Sequence, residues 1–219
     1  MFILMVLFGI AVNSSSNSGY PGLTIFEEEG KCTGAKQIKI MQTLEPDMAL
    51  AYAKTQPNAI YDPKDNGKTS EIDVIMLHPK GLFVIESKNY SGWIFGNESN
   101  KQWTQTLPVS YGKSHKERFY NPIMQNATHI RAIRKHINDT IPIYSVIAFS
   151  DNCTLKDVTV KSNVIVAYYS ELKKEIKLKL SEINNYTITP ELMDETYNKL
   201  SQYANVDDYT KFQHIYNSR

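Results

Sequence analysis

Asp73, Glu86 and Lys88 are the residues of this chain whose types and spacing suit chemistry. Two carboxylates and a lysine gathered in one place can hold a divalent cation. All three lie in "SEIDVIMLHPKGLFVIESKNY", residues 70 to 90. The period of two along a strand puts Glu71, Asp73, Ile75 and Leu77 on one face of a first strand. It puts Leu82, Val84, Glu86 and Lys88 on one face of a second. A turn symmetric about Pro79 and Lys80 pairs Leu77 with Leu82, Ile75 with Val84, Asp73 with Glu86 and Glu71 with Lys88. Apolar residues then meet apolar ones, and the charged groups collect at the far end.

Directly opposed residues have Cβ atoms about 4.5–5.5 Å apart, and like charges there destabilise the sheet. Opposed carboxylates therefore call for a divalent cation, a shared proton or a nearby cationic side chain. Lys88 supplies one positive charge. A Mg²⁺ ion taking oxygens from Asp73 and Glu86 plus waters would supply the rest, with Mn²⁺ as the alternative. A plainer reading stays open. Glu71 and Lys88 can form an ordinary cross-strand ion pair, and one extra residue in the turn would send the two carboxylates to opposite faces.

The elements that must position this hairpin follow from pattern. "GAKQIKIMQTL" has helical spacing, and "PDMALAYAK" restarts a helix after Pro46. "NAIYDP" is a short strand, "DPKDNGKTS" is turn chemistry, and "GWIFG" is a third strand after the hairpin. Residues 97 to 120 are polar and irregular, which predicts a loop with Trp103 as an isolated anchor. "NPIMQNATHIRAIRKHIND" is a helix capped by Asn121, with Pro122 at its first position. Its apolar stripe is Ile123, Ala127, Ile130, Ile133 and Ile137. "IPIYSVIAFS" and "NVIVAYY" are strands buried on both faces, and two helices, "SELKKEIKLKLSEI" and "TPELMDETYNKLSQYA", close the chain. This order predicts a mixed α/β domain.

Totals set outer limits. At 219 residues, 42% hydrophobic and 21% charged, the chain can build a full core without staples. A net charge of +1 gives no global field for polyanions, so any nucleic acid must be gripped by a local patch. Cys32 and Cys153 fit no metal spacing. Two free thiols in a reducing compartment is a simpler reading than a disulfide. We divide the chain into residues 1–20, an apolar segment with a Ser/Asn-rich spacer, and a single domain over 21–219. The apolar run of residues 1–12 would reach about 18 Å as a helix, against a hydrocarbon core of roughly 30 Å. No Lys or Arg precedes Lys31, and no A-x-A cleavage site is clear. A membrane anchor, a signal peptide and a trimmed or mis-started N-terminus all stay open. The corresponding locations are membrane-associated with a cytoplasmic domain, or cytoplasmic.

"EIDVIML", "GLFVIESKNYSGWIFG", Trp103 and "FYNPIMQNATHI" follow one another in an order that resembles the NERD (nuclease-related) domain. The resemblance spans roughly residues 58–150, and the family looks like a branch of the PD-(D/E)xK nucleases. It implies a restriction-endonuclease-like mixed sheet flanked by helices, and metal-dependent phosphodiester cleavage of DNA or RNA. Asp73 matches the motif's first acid, and Glu86 and Lys88 match its (D/E)xK pair. By resemblance the acids hold Mg²⁺, Ser87 lends a backbone carbonyl, and Lys88 orients water or balances charge. Gln125 and His129 resemble the glutamine-aromatic pair on the following helix, where they share a flank beside the apolar stripe. A solvated polar flank is the plain alternative.

One departure stands out. Relatives carry a Gly-Glu pair on the first helix, and the positions aligned with it are Gly34 and Ala35. Glu27, Glu28 or Glu29 would have to stand in for the missing acid. Other features are weaker. "YGKSHKERF" and "RAIRKH" can contact phosphates or simply face water. Trp93 and Trp103 can stack bases, with core packing the plainer role. Asn97 and Asn126 lie in N-x-[ST] sequons that matter only in a secreted chain. The first expectation is a Mg²⁺-dependent nuclease, with contact to a membrane through residues 1–12. The alternative is a catalytically inactive module that keeps the nuclease fold for binding or scaffolding. A structural α/β domain with a chance motif is the third.

Overall fold

The computed structural model describes residues 50–53, 59–61, 69–109 and 113–202. Residues 1–12, Cys32, Gly34, Ala35, Glu27 to Glu29 and the expected helix in "GAKQIKIMQTL" lie outside the described residues.

The described chain begins with β1 (Leu50–Ala53), β2 (Ala59–Tyr61), β3 (Thr69–Glu71), β4 (Val74–His78) and β5 (Gly81–Lys88). Next come β6 (Gly92–Asn97), β7 (Gln102–Pro108), β8 (Ser114–Tyr120) and α1 (Pro122–Arg134). It ends with β9 (Ile143–Phe149), β10 (Cys153–Thr159), β11 (Ile165–Tyr168), α2 (Leu172–Glu182) and α3 (Pro190–Gln202). The main sheet has the order β1-β4-β5-β9-β11, antiparallel from β1 to β5 and parallel from β5 to β11. Leu82 and Val84 of β5, with Ile75 and Leu77 of β4, pack under α1 and α3 through Ile133 and Met193, and Ile137, just past the end of α1, joins them. Phe83 and Ile85 pack on the other face against Leu172 and Ile176 of α2. The result is the expected restriction-endonuclease-like mixed sheet flanked by helices.

A second sheet, ordered β10-β6-β7-β8, covers the end of this core. Ile94 and Trp103 face inward onto Ile147 and Phe149 of β9 and Ile123 of α1. The Trp103 indole stacks on Phe149 with centroids 6.1 Å apart and donates from Nε1 to the Asn97 carbonyl at 3.0 Å. A Cβ at Gly96 would collide with that indole, so the position needs glycine. Residues 97 to 120 are therefore mostly a hairpin, not the expected loop. β8 misled the pattern because His115, Lys116, Glu117 and Arg118 are all exposed, which suits the edge strand of a sheet. Leu50–Ala53 also departs from expectation, being a strand paired with β4 instead of part of a helix. Its Ala- and Leu-rich composition favours helix, but the ladder offered by β4 overrides that preference.

The expected helix forms as α1. Asn121 accepts from the Ile123 N–H at 2.9 Å, and its Nδ2 donates to the Glu98 and Asn100 carbonyls at 2.8 Å each. The cap thus also anchors the turn between β6 and β7. Asn126 is fully buried and its Nδ2 donates to the Val84 carbonyl and to Ser145 Oγ, both at 2.9 Å. That side chain bolts the helix to the sheet and is inaccessible as a glycosylation site in the folded domain.

His78 closes β4, and its Nδ1 accepts the Lys80 N–H at 3.1 Å. Burial, aided by the Lys80 charge, lowers its pKa from 6.5 to about 4. The unfolded chain therefore binds this proton more readily than the folded one does. The contribution of neutral His78 is complete above pH 6.5 and is lost as pH falls through about 4. His78→Asn, which keeps an acceptor that does not titrate, should flatten the loss of stability across this window. Urea midpoints of both proteins at several pH values check this, and identical slopes would contradict it.

Candidate active site

β5 delivers three candidate residues in succession. Glu86 and Lys88 continue the face of Leu82 and Val84 and so point toward α1. Ser87 continues the opposite face, where its Oγ lies 2.6 Å from the Tyr169 hydroxyl. Glu86 is 3% exposed, yet Lys88 reaches the surface at 14%.

The predicted register holds from Leu77–Leu82 to Val74–Ile85, where the ladder stops. Asp73 lies just beyond it, and its Oδ2 accepts the Ser87 N–H at 2.8 Å. The carboxylates are thus neighbours at the end of a ladder and not a directly opposed pair. Glu71 turns away to pair with Ala59 in the β2–β3 ribbon, so the expected row with Lys88 does not form.

Helix α1 closes the site. Gln125 stands in its first turn, with its N–H bonded to the Asn121 carbonyl at 3.0 Å. Its Oε1 accepts from Lys88 Nζ at 2.9 Å, and Lys88 Nζ also donates to Glu86 Oε1 at 2.7 Å. The Lys88 ammonium is therefore clasped between a carboxylate and an amide. Four residues along the same helix face, His129 brings Nε2 to 3.2 Å from Glu86 Oε2. The contact falls short of hydrogen-bond geometry, and both buried ring nitrogens lack a hydrogen-bond partner among the described residues. Burial pushes the Glu86 carboxyl up, but the His129 ring and the Lys88 ammonium outweigh it and hold the carboxyl below its usual range.

Asp73, Glu86, Ser87, Lys88 and Gln125 line one cleft of roughly 410 Å³, joined by Asn89 and Tyr90. Asp73, Glu86, Ser87, Lys88 and Gln125 are thus brought together, while Glu71 and His129 do not line the cleft. Tyr90 packs on Phe119 with ring centroids 4.6 Å apart, which ties the cleft to the second sheet. Burial raises its hydroxyl pKa. Tyr90, Asn89 and Tyr169 were missed in the sequence, although the first two directly follow the motif. Of the two basic stretches, "RAIRKH" has a structural use, because Arg134 donates to the Ile141 carbonyl at 2.9 Å. Trp103 is core, as the plainer reading had it, at 1% exposure.

The donor set suits a hard cation. The Lys88 carbonyl accepts the Ser150 N–H at 2.9 Å on the β9 side. Backbone carbonyls alternate along a strand, so that of Ser87 points the other way, toward Asp73. Among the described residues, no group of three His, Cys, Asp or Glu side chains is placed to hold a metal. Ions such as Mg²⁺ are commonly bound through one or two carboxylates and keep several waters. Among the described residues, no helix is long and apolar enough to cross a membrane.

An uncharacterized protein of Bacillus anthracis is 43% identical over 112 residues, which is 51% of this chain and 50% of that protein. The chain thus spans about half the length of that relative. No solved structure matches it. The family described as "Nuclease-related domain" matches residues 38–150, a stretch that holds the whole cleft and both elements that build it. By that match the chain belongs to the NERD, or nuclease-related domain, family.

Proposed function

We propose that the cleft hydrolyses phosphodiester bonds of nucleic acid with the help of Mg²⁺ or Mn²⁺. One observation carries the reading: a lysine ammonium fixed by Glu86 and Gln125 in the cleft that Asp73 also lines. Asp73 and Glu86, with the Ser87 carbonyl, are the residues that would hold the ion. When bound, the ion polarises the phosphate and activates water as the nucleophile.

The chain's own residues do the rest. Lys88 presents a positive charge where negative charge grows on the phosphate oxygens, and its two partners fix it there before substrate arrives. Gln125 spends its oxygen on Lys88, which leaves its amide NH₂ to donate to a phosphate oxygen or to the attacking water. Glu86 stays ionised because Lys88 and His129 flank it.

A second reading, a binding module that has lost turnover, is favoured by the neighbours of Glu86. Both of its oxygens already face a cationic or polar group. Calorimetric titration of Mg²⁺ and Mn²⁺ into the full chain separates the two readings. The enzyme reading expects one saturable site, and an affinity at least about 10- to 100-fold weaker in Asp73→Asn, since losing a ligand costs no less than losing a residue that supports one. A parent protein that gives no saturable binding favours the inactive module.

A further inference from the structure

The cleft leaves the outer face of the second sheet unused. Register fixes its rows: Trp93, Thr106 and Lys116 lie side by side across β6, β7 and β8, and Phe95, Thr104 and Arg118 form the next row. Intervening residues such as Ile94 and Trp103 point into the core. Trp93 is 52% exposed, and Tyr120 at the far end of β8 is 46% exposed. Lys116 and Arg118 are also exposed. Lys156, at the bulge in β10, holds Nζ 5.9 Å from the centroid of the Trp93 ring. Asp157, opposite Phe95, is the acid set against these cations.

Scattered exposed aromatics need no explanation. Aromatic rings interleaved with lysine and arginine on one sheet face are different, because Trp93 and Tyr120 leave about half of their surface in water although Thr106 between the strands is buried. From strand spacing and rise, Trp93 and Tyr120 stand roughly 16 Å apart, room for several bases with Phe95 and Arg118 between them. Cations beside exposed π-faces complement a polyanion whose bases are unstacked, and a duplex hides its base faces.

We propose that this face binds single-stranded nucleic acid, with bases stacking on Trp93 and Tyr120 and with Lys116, Arg118 and Lys156 on the backbone. The proposal rests on the nucleic-acid reading of the cleft. Tyr90, which lines the cleft, is three residues from Trp93, a reach of at most about 10 Å. A strand held on the face therefore has its next nucleotides near Lys88.

The test uses the full chain in EDTA, with labelled oligo-dT and oligo-U of about 15 nucleotides, the upper range of sites of this kind, and a matched duplex. Anisotropy reads affinity. Tryptophan emission reads the face, since Trp93 and Trp103 are the two tryptophans and Trp103 is buried. Single strands should quench Trp93 and bind more tightly than the duplex. Trp93→Ala should weaken binding roughly 5- to 150-fold, the effect of losing one stacked base. Lys116→Ala with Arg118→Ala should cut the salt slope by about 1.4, near 0.7 for each lost phosphate contact. Unquenched Trp93, tighter duplex binding, or variants that bind like the parent overturn the proposal. An unquenched face would leave it to a protein partner or to the chain's own apolar segment. The readout needs no divalent ion. Cleavage without Trp93-dependent binding would therefore remove this proposal alone, and Trp93-dependent binding without cleavage would remove the nuclease reading alone.

Discussion

Lys88→Ala should lower the rate of metal-dependent cleavage about 10²- to 10³-fold, the loss expected when one fixed donor to the transition state is removed. The size follows from preorganisation. Lys88 Nζ is held at 2.7 Å from Glu86 and 2.9 Å from Gln125, so its charge is in place before substrate binds. A flexible surface lysine would contribute far less. Lys88→Arg should not restore the rate, because a planar guanidinium cannot occupy the compact position between these partners. Single-turnover cleavage at saturating protein isolates the chemical step. A Lys88→Ala protein that cuts at the parent rate would remove the lysine from the mechanism.

Glu86→Ala should cost about 3 kcal/mol of stability, at the low end for breaking a buried ion pair. The carboxylate is 3% exposed and sits between Lys88 and His129, so its removal takes a buried partner from both. The cost stays at the low end because Lys88, 14% exposed, can regain some water from the cleft. Glu86→Gln keeps the shape and an oxygen for Lys88, so it should cost only about 1 kcal/mol, the net worth of an ordinary hydrogen bond. Both variants should lose cleavage, although they differ in stability. Urea unfolding at neutral pH measures the difference. Equal stability of Glu86→Ala and the parent would mean that the Glu86–Lys88–His129 cluster does not hold β5 to α1.

The hairpin register was legible in the sequence because only one pairing of Leu77, Ile75, Leu82 and Val84 satisfies period two and a tight turn. Where that ladder ends was not legible. Beyond the break at Asp73, Glu71 pairs with Ala59, and that pairing leaves no mark in the hairpin itself. Helix α1 announced itself through Asn121, Pro122 and its isoleucines. The role of Asn126 was hidden, although a polar residue between Ile123 and Ile130 was a usable signal that the helix meets backbone there. β8 and β1 were misjudged for opposite reasons. Four exposed polar side chains hid one strand, and a helix-favouring composition hid the other. The motif residues could be picked in advance because D…ExK marks them by type and spacing. Tyr90 could not, since its place in the cleft comes from packing on Phe119, far along the chain.

The activity proposed for this cleft is cutting of phosphodiesters with a divalent ion. Its most direct test is cleavage of labelled single- and double-stranded DNA and RNA by the full chain in Mg²⁺, in Mn²⁺ and in EDTA. The expected result is cutting of at least one substrate with metal and none in EDTA. Folded protein that leaves every substrate intact under all three conditions would contradict it and leave a nuclease-fold binding module in its place.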